Sequence, residues 1–141
     1  MPSTRSTANA HVERFLPHAP ILARAACAVT HGGAGVTQKA LAAGVPVCVV
    51  PFGRDQLEVA RRVEVADAGT RLPARRLNPD RLRAKVREAM TKRQGANRVA
   101  DGFAATGGPA TAAAAIEGLL NEHSSRPRQT QPPTLPELAS R

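Results

Sequence analysis

Aromatic residues are almost missing from this chain: of 141 residues three are Phe, and neither Trp nor Tyr occurs. Any core must therefore be built from Ala, Val and Leu, and the lack of Tyr and Trp removes the usual stacking surfaces on which single-strand nucleic-acid binders lay their bases. Cysteine is scarce as well. Cys27 and Cys48 both stand in apolar runs at a spacing that matches no metal-ligand pattern, so buried, reduced thiols and no metal site are expected. Nowhere do eighteen apolar residues run together, and the first fifteen residues carry Arg5 and Arg14 but no apolar block. Neither a membrane span nor a secretory leader is expected, and the expected location is the cytoplasm.

Acidic residues are outnumbered: 11 Asp and Glu face 20 Lys and Arg, a net charge of +9, and only Lys39, Lys85 and Lys92 among the basic residues are lysine. Ten of the cations crowd positions 71–98, where only Asp80 and Glu88 oppose them. A solvated basic face is the expected reading. Nucleic-acid binding is the alternative that such a charge distribution raises.

What is present is a 42% hydrophobic, globular composition with room for one domain. Residues 1–10 show no apolar period and read as a disordered lead-in, residues 11–121 as the folded unit, and residues 122–141, with four prolines, as a disordered tail. Val12–Leu16 alternates enough for a short strand, and a helix is expected over Ile21–Ala26. Cys27–His31 reads as a strand, Val36–Ala43 as a helix with Gly44 as its left-handed cap, and the β-branched run Val47–Val50 as a strand buried on both faces. The amphipathic pattern of Gln56–Ala68 predicts a helix closed by Gly69, followed by an extended piece over Thr70–Pro73. Asn78-Pro79-Asp80 signals a capped helix reaching about Lys92, and Gly107-Gly108 separates helices over 97–105 and 109–121. Strand, helix, strand, helix, strand predicts an α/β fold: a doubly wound, Rossmann-like parallel sheet with flanking helices and ligands at the carboxyl ends of its strands.

Thr30-His31-Gly32-Gly33-Ala34-Gly35 lies at such an end. A glycine-rich bend between a strand and a helix leaves backbone N–H groups free at the helix N-terminus, where an anion is attracted. The second such end carries Asp55-Gln56; a carboxylate accepts and an amide both donates and accepts hydrogen bonds to hydroxyls, whereas the plain alternative for Asp55 is a helix N-cap.

His31-Gly-Gly-Ala-Gly, Gly44-Val-Pro, Pro51 and Asp55-Gln56 together resemble the donor-binding signature of two-domain nucleotide-sugar glycosyltransferases, the family that includes macrolide, sterol and plant natural-product enzymes. The resemblance covers about residues 8–120 and implies the later half of a GT-B type C-terminal domain. It implies that His31 and the N–H groups of Gly32, Gly33, Gly35 and Val36 hold the donor diphosphate and that Asp55 and Gln56 hold the sugar. It sets His18 and Lys39 near the nucleotide, though His18 reads equally as a surface histidine and Lys39 as a helix-surface lysine. Many members carry Glu at the position of Lys39 and Ser or Thr at that of Val36, so the nucleotide grip differs here.

The implied reaction is inverting, metal-independent transfer of a hexosyl group from a nucleotide-diphosphate sugar, as substrate and with no cofactor, to a small-molecule acceptor. The family's acceptor domain and its catalytic base lie outside these residues, so no residue is assigned as catalytic, a separate N-terminal acceptor domain is the expected partner, and a fragment or split enzyme is the expected status. A non-catalytic nucleotide-sugar-binding module and, below it, a basic nucleic-acid-binding module are the alternatives. A sheet lacking its central strands would leave the Cys27–His31 strand on an edge.

Overall fold

In the computed structural model the described residues are 6–125, with side chains described over 8–120. Expectations for residues 1–5 and beyond 125 lie outside them. The described chain divides into two units, residues up to Thr106 and residues from Gly107 onward.

In the first unit the order is β1 (Ser6–Thr7), β2 (Ala10–His11), α1 (His18–Leu22), β3 (Ala28–Thr30), α2 (Ala34–Ala42), β4 (Val47–Val49), α3 (Gln56–Val65), β5 (Gly69–Arg71), a 3-10 turn at Ala74–Arg76, α4 (Pro79–Met90) and α5 (Arg93–Ala105). The second unit holds α6 (Gly108–Ser125), which carries the expected helix four residues into the stretch read as tail.

β3, β4 and β5 form a parallel sheet in that order, with Val29 opposite Cys48 and Cys48 opposite Thr70. The apolar run of β4 is buried throughout, as its sequence requires of a central strand. Its side chains alternate between faces. Val47 and Val49 join Ala40 and Leu41 of α2, Ala60 and Val63 of α3 and Ala96 of α5 in the core, while α4 packs against β4 and β5. Because the core is made of small residues, backbones approach closely: a Cβ on Gly95 would collide with the Asp67 carbonyl, and one on Gly69 with that of Val47.

Several local expectations need correction. Val12–Leu16 forms no strand; Val12 and Phe15 are exposed, so the alternation has no surface to pack on. Instead β1 and β2 pair as an antiparallel hairpin that lies in the stretch read as lead-in but for His11, the first residue of the expected folded unit. The helix expected over 21–26 runs over His18–Leu22, and α2 begins at Ala34 rather than Val36. Gly44 takes φ +66 as a left-handed cap should, but α3 ends through Asp67 at φ +53, and Gly69 opens β5 instead of closing the helix.

Candidate functional site

The glycine bend is held by two buried hydroxyls. Thr30, the last residue of β3, accepts the Gly32 N–H on Oγ1 at 2.7 Å, and the same oxygen is hydrogen-bonded to Thr37 Oγ1 of α2 at 3.1 Å. Strand, bend and helix are thereby tied together in the core, where unsatisfied hydroxyls would be costly. One consequence corrects the sequence reading: the Gly32 N–H is spent inside the bend and is no donor to a ligand.

Gly32 lies at φ +93, and a Cβ there would stand 3.0 Å from Val49 Cγ1 and 3.1 Å from the Gln56 carbonyl oxygen. The bend is pressed against the first residue of α3. Gly33 is bare for another reason. Its φ of −61 is ordinary, but a Cβ would come 2.6 Å from His31 Nε2, so the imidazole lies over the start of α2. No side chain caps that helix, and the N–H groups of Ala34, Gly35 and Val36 have no acceptor among the described residues. Open space surrounds Gly35. Three first-turn donors and an imidazole therefore converge on one exposed spot, an arrangement that attracts anions.

Beside it lies a cleft of about 350 Å³ lined by Val29, Thr30, His31, Val36, Val50, Phe52, Leu77 and Leu82. Leu77 and Leu82 escaped the sequence reading, although a signal was available. They flank the Asn78 cap, whose Oδ1 accepts the Arg81 N–H at 2.9 Å, as an apolar pair immediately before and four residues after it, the spacing of a hydrophobic staple.

Asp55 precedes α3, but its carboxylate makes no capping hydrogen bond, so the N-cap alternative is not realised. Gln56 Oε1 accepts the Phe52 N–H at 2.9 Å, which leaves its amide NH2 group to donate outward. Between them and β4, Arg54 takes φ +55, a conformation that costs a non-glycine residue roughly 1–2 kcal/mol. Asp55 and Gln56 do not line the 350 Å³ cleft; Gln56 joins the bend through its contact with Gly32.

His18 and Lys39 line a different cleft, of about 600 Å³, between α1 and α2, together with Pro17, Leu22 and Ala43. Val36 and Lys39 stand one turn apart on α2, so the two clefts open along the same side of that helix. The thiols take no part: burial pushes both Cys27 and Cys48 above the ordinary cysteine range. Among the described residues no three His, Cys, Asp or Glu side chains converge, and no helix is long and apolar enough to cross a membrane.

The family described as the erythromycin biosynthesis protein CIII-like C-terminal domain matches residues 4–119. The 4'-demethylrebeccamycin synthase of Lentzea aerocolonigenes is 40% identical over 80% of this chain and 28% of its own length. Demethyllactenocin mycarosyltransferase of Streptomyces fradiae is 33% identical over 80% of this chain and 25% of its own. Among solved structures, the calicheamicin glycosyltransferase CalG4 superposes with a TM-score of 0.73 at 31% identity, over 79% of this chain and 30% of that one. The chain thus spans about a quarter of the length of such relatives.

Proposed function

Because the chain belongs to the erythromycin biosynthesis protein CIII-like C-terminal domain family, we propose that it is the donor-binding part of a glycosyltransferase and grips a nucleotide-diphosphate sugar at the bend between β3 and α2. The observation that carries this reading is the position of His31 Nε2 over Gly33, next to the uncapped N-terminus of α2.

In the proposed complex the diphosphate sits at that helix end. The N–H groups of Ala34, Gly35 and Val36 and the His31 imidazole donate to its oxygens. The same donors serve the reaction: an acceptor hydroxyl attacks the anomeric carbon from the face opposite the diphosphate, the bond to the departing diphosphate oxygen breaks, and the negative charge growing on that oxygen is met by preoriented dipoles. The configuration inverts, and the acceptor's proton passes to a base outside the residues assigned here. Asp55 accepts from, and the Gln56 amide donates to, hydroxyls of the transferred hexose. The cleft shared by His18 and Lys39 takes the nucleoside. The Lys39 ammonium cannot accept a hydrogen bond from ribose hydroxyls, so we assign this chain a deoxyribose donor such as a thymidine diphosphate sugar.

Calorimetric titration with uridine and thymidine diphosphate sugars tests both levels. Binding is expected, with a thymidine preference, and His31→Ala is expected to weaken it by about tenfold or more. A folded protein that ignores every activated sugar would overturn the proposal, and a strong uridine preference would overturn the assignment of Lys39 alone.

A further inference from the structure

Apart from the donor clefts, the chain carries a concavity of about 650 Å³ built from three elements: Arg71 and Leu72 at the end of β5, Arg76 of the 3-10 turn, and Arg81, Ala84 and Lys85 of α4, with Glu64 as the one acid in its lining. We propose that this basic cleft is a second anion site, for a compact ligand bearing several phosphoryl groups.

The charge pairing supports a vacancy for negative charge. Glu64 is engaged by Arg71, Nε to Oε2 at 3.1 Å, and Lys85 Nζ reaches Glu88 Oε2 at 2.7 Å. Arg76 and Arg81 have no carboxylate partner among the described residues. Arg81 donates from one terminal nitrogen to the Arg76 carbonyl oxygen at 3.4 Å, which orients its guanidinium and leaves its other N–H groups for a ligand. With Arg71 and Lys85 each matched by a carboxylate, Arg76 and Arg81 remain as two uncompensated cations lining one hollow, and a guanidinium fork matches phosphoryl oxygens bidentately.

A merely solvated basic face would spread its cations over exposed positions of one helix, as Arg83 and Arg87 stand exposed on α4. Here a strand end, a turn and a helix aim theirs into one space. The size of that space and the absence of Tyr and Trp favour a small oligophosphate over a nucleic-acid strand, which needs a long track and stacking surfaces.

Titration of the full chain with inorganic tripolyphosphate at low salt is expected to show saturable binding that persists in the His31→Ala variant, which separates this cleft from the donor site. Arg76→Gln with Arg81→Gln is expected to weaken it by about tenfold or more, while Arg24→Gln with Arg61→Gln, an equal loss of charge elsewhere, leaves it unchanged. Circular dichroism melting establishes that each variant is folded. Equal losses from both double variants would reduce the effect to net charge and overturn the proposal. So would the absence of saturable binding, or binding of duplex RNA more tightly than tripolyphosphate.

Discussion

Gly32 must be glycine for its backbone and Gly33 for its neighbour, and substitution separates the two. Gly32→Ala forces a side chain into the left-handed region at φ +93 and to within 3.1 Å of a carbonyl oxygen in α3; it is expected to cost roughly 1–3 kcal/mol of stability, read from denaturant unfolding. Gly33→Ala meets only the tip of the His31 ring, 2.6 Å from the new Cβ. That ring can swing away, so the melting temperature should hardly move while donor affinity falls, by roughly tenfold if the imidazole carries one charge-assisted contact. An unchanged donor affinity in folded Gly33→Ala would show that the imidazole does not touch the donor. Asp67 offers a test in pH. Its hydrogen bond with Lys92, Oδ1 to Nζ at 2.7 Å, holds the carboxyl below its ordinary value of 3.8 and the ammonium above its own. A lowered carboxyl pKa stabilises the fold above the unfolded value and loses that contribution as pH falls through the folded one; the raised lysine loses its share only at alkaline pH. Asp67→Asn, which keeps a residue tolerant of φ +53, is therefore expected to melt below the parent at neutral pH and to converge with it under acid. A gap that persists at the acid end would mean that something other than the ion pair is lost.

At the scale of elements, the site depends on how β3, α2 and the start of α3 are clamped. Thr30→Val removes the acceptor of the buried Gly32 N–H and the partner of Thr37, and leaving them unmatched is expected to cost about 1–3 kcal/mol. Donor affinity is expected to fall with it, because the bend loosens; a loss of stability with affinity intact would restrict Thr30 to a packing role. The same elements show what could be read from the chain in advance. β4 was legible because four apolar residues in a row leave no polar face, and α4 because Asn78 and Pro79 solve a problem within one turn of backbone. The Thr30–Thr37 pair was not, since two ordinary threonines seven residues apart announce nothing until a strand and a helix bring them together. The pairing of Ser6–Thr7 with Ala10–His11 rests on backbone groups that every sequence has. The Val12–Leu16 pattern misled because alternation makes a strand only where a surface waits to cover it. At the site, the bend and its imidazole followed from local residue types, whereas Leu77 and Leu82 enter the His31 cleft from more than forty residues away, carried there by the strand order.

At the scale of the whole molecule, two features oppose each other: an edge that can pair and a charge that repels. β3 has β4 as its one strand partner among the described residues, and Val29 on it is 51% exposed, with Phe52, which lines the same cleft, at 70%. An edge strand with an apolar face is a template for further strands. The net charge of +9 keeps copies apart at low ionic strength. Salt shortens the reach of that repulsion, to about 10 Å at 0.1 M and about 3 Å at 1 M, and leaves the backbone hydrogen bonds of the edge untouched. The isolated chain is therefore expected to associate more as salt is raised, the reverse of what an assembly held by ion pairs would do. Val29→Lys sets a charge on the edge itself and is expected to keep the chain monomeric in sedimentation velocity at salt concentrations where the parent grows. The substitution lies on β3 but outside the bend, so the Thr30 clasp and α2 stay in place. If the parent sediments as a single monomer across the whole salt range, or if Val29→Lys associates as the parent does, the β3 edge is not what joins the copies.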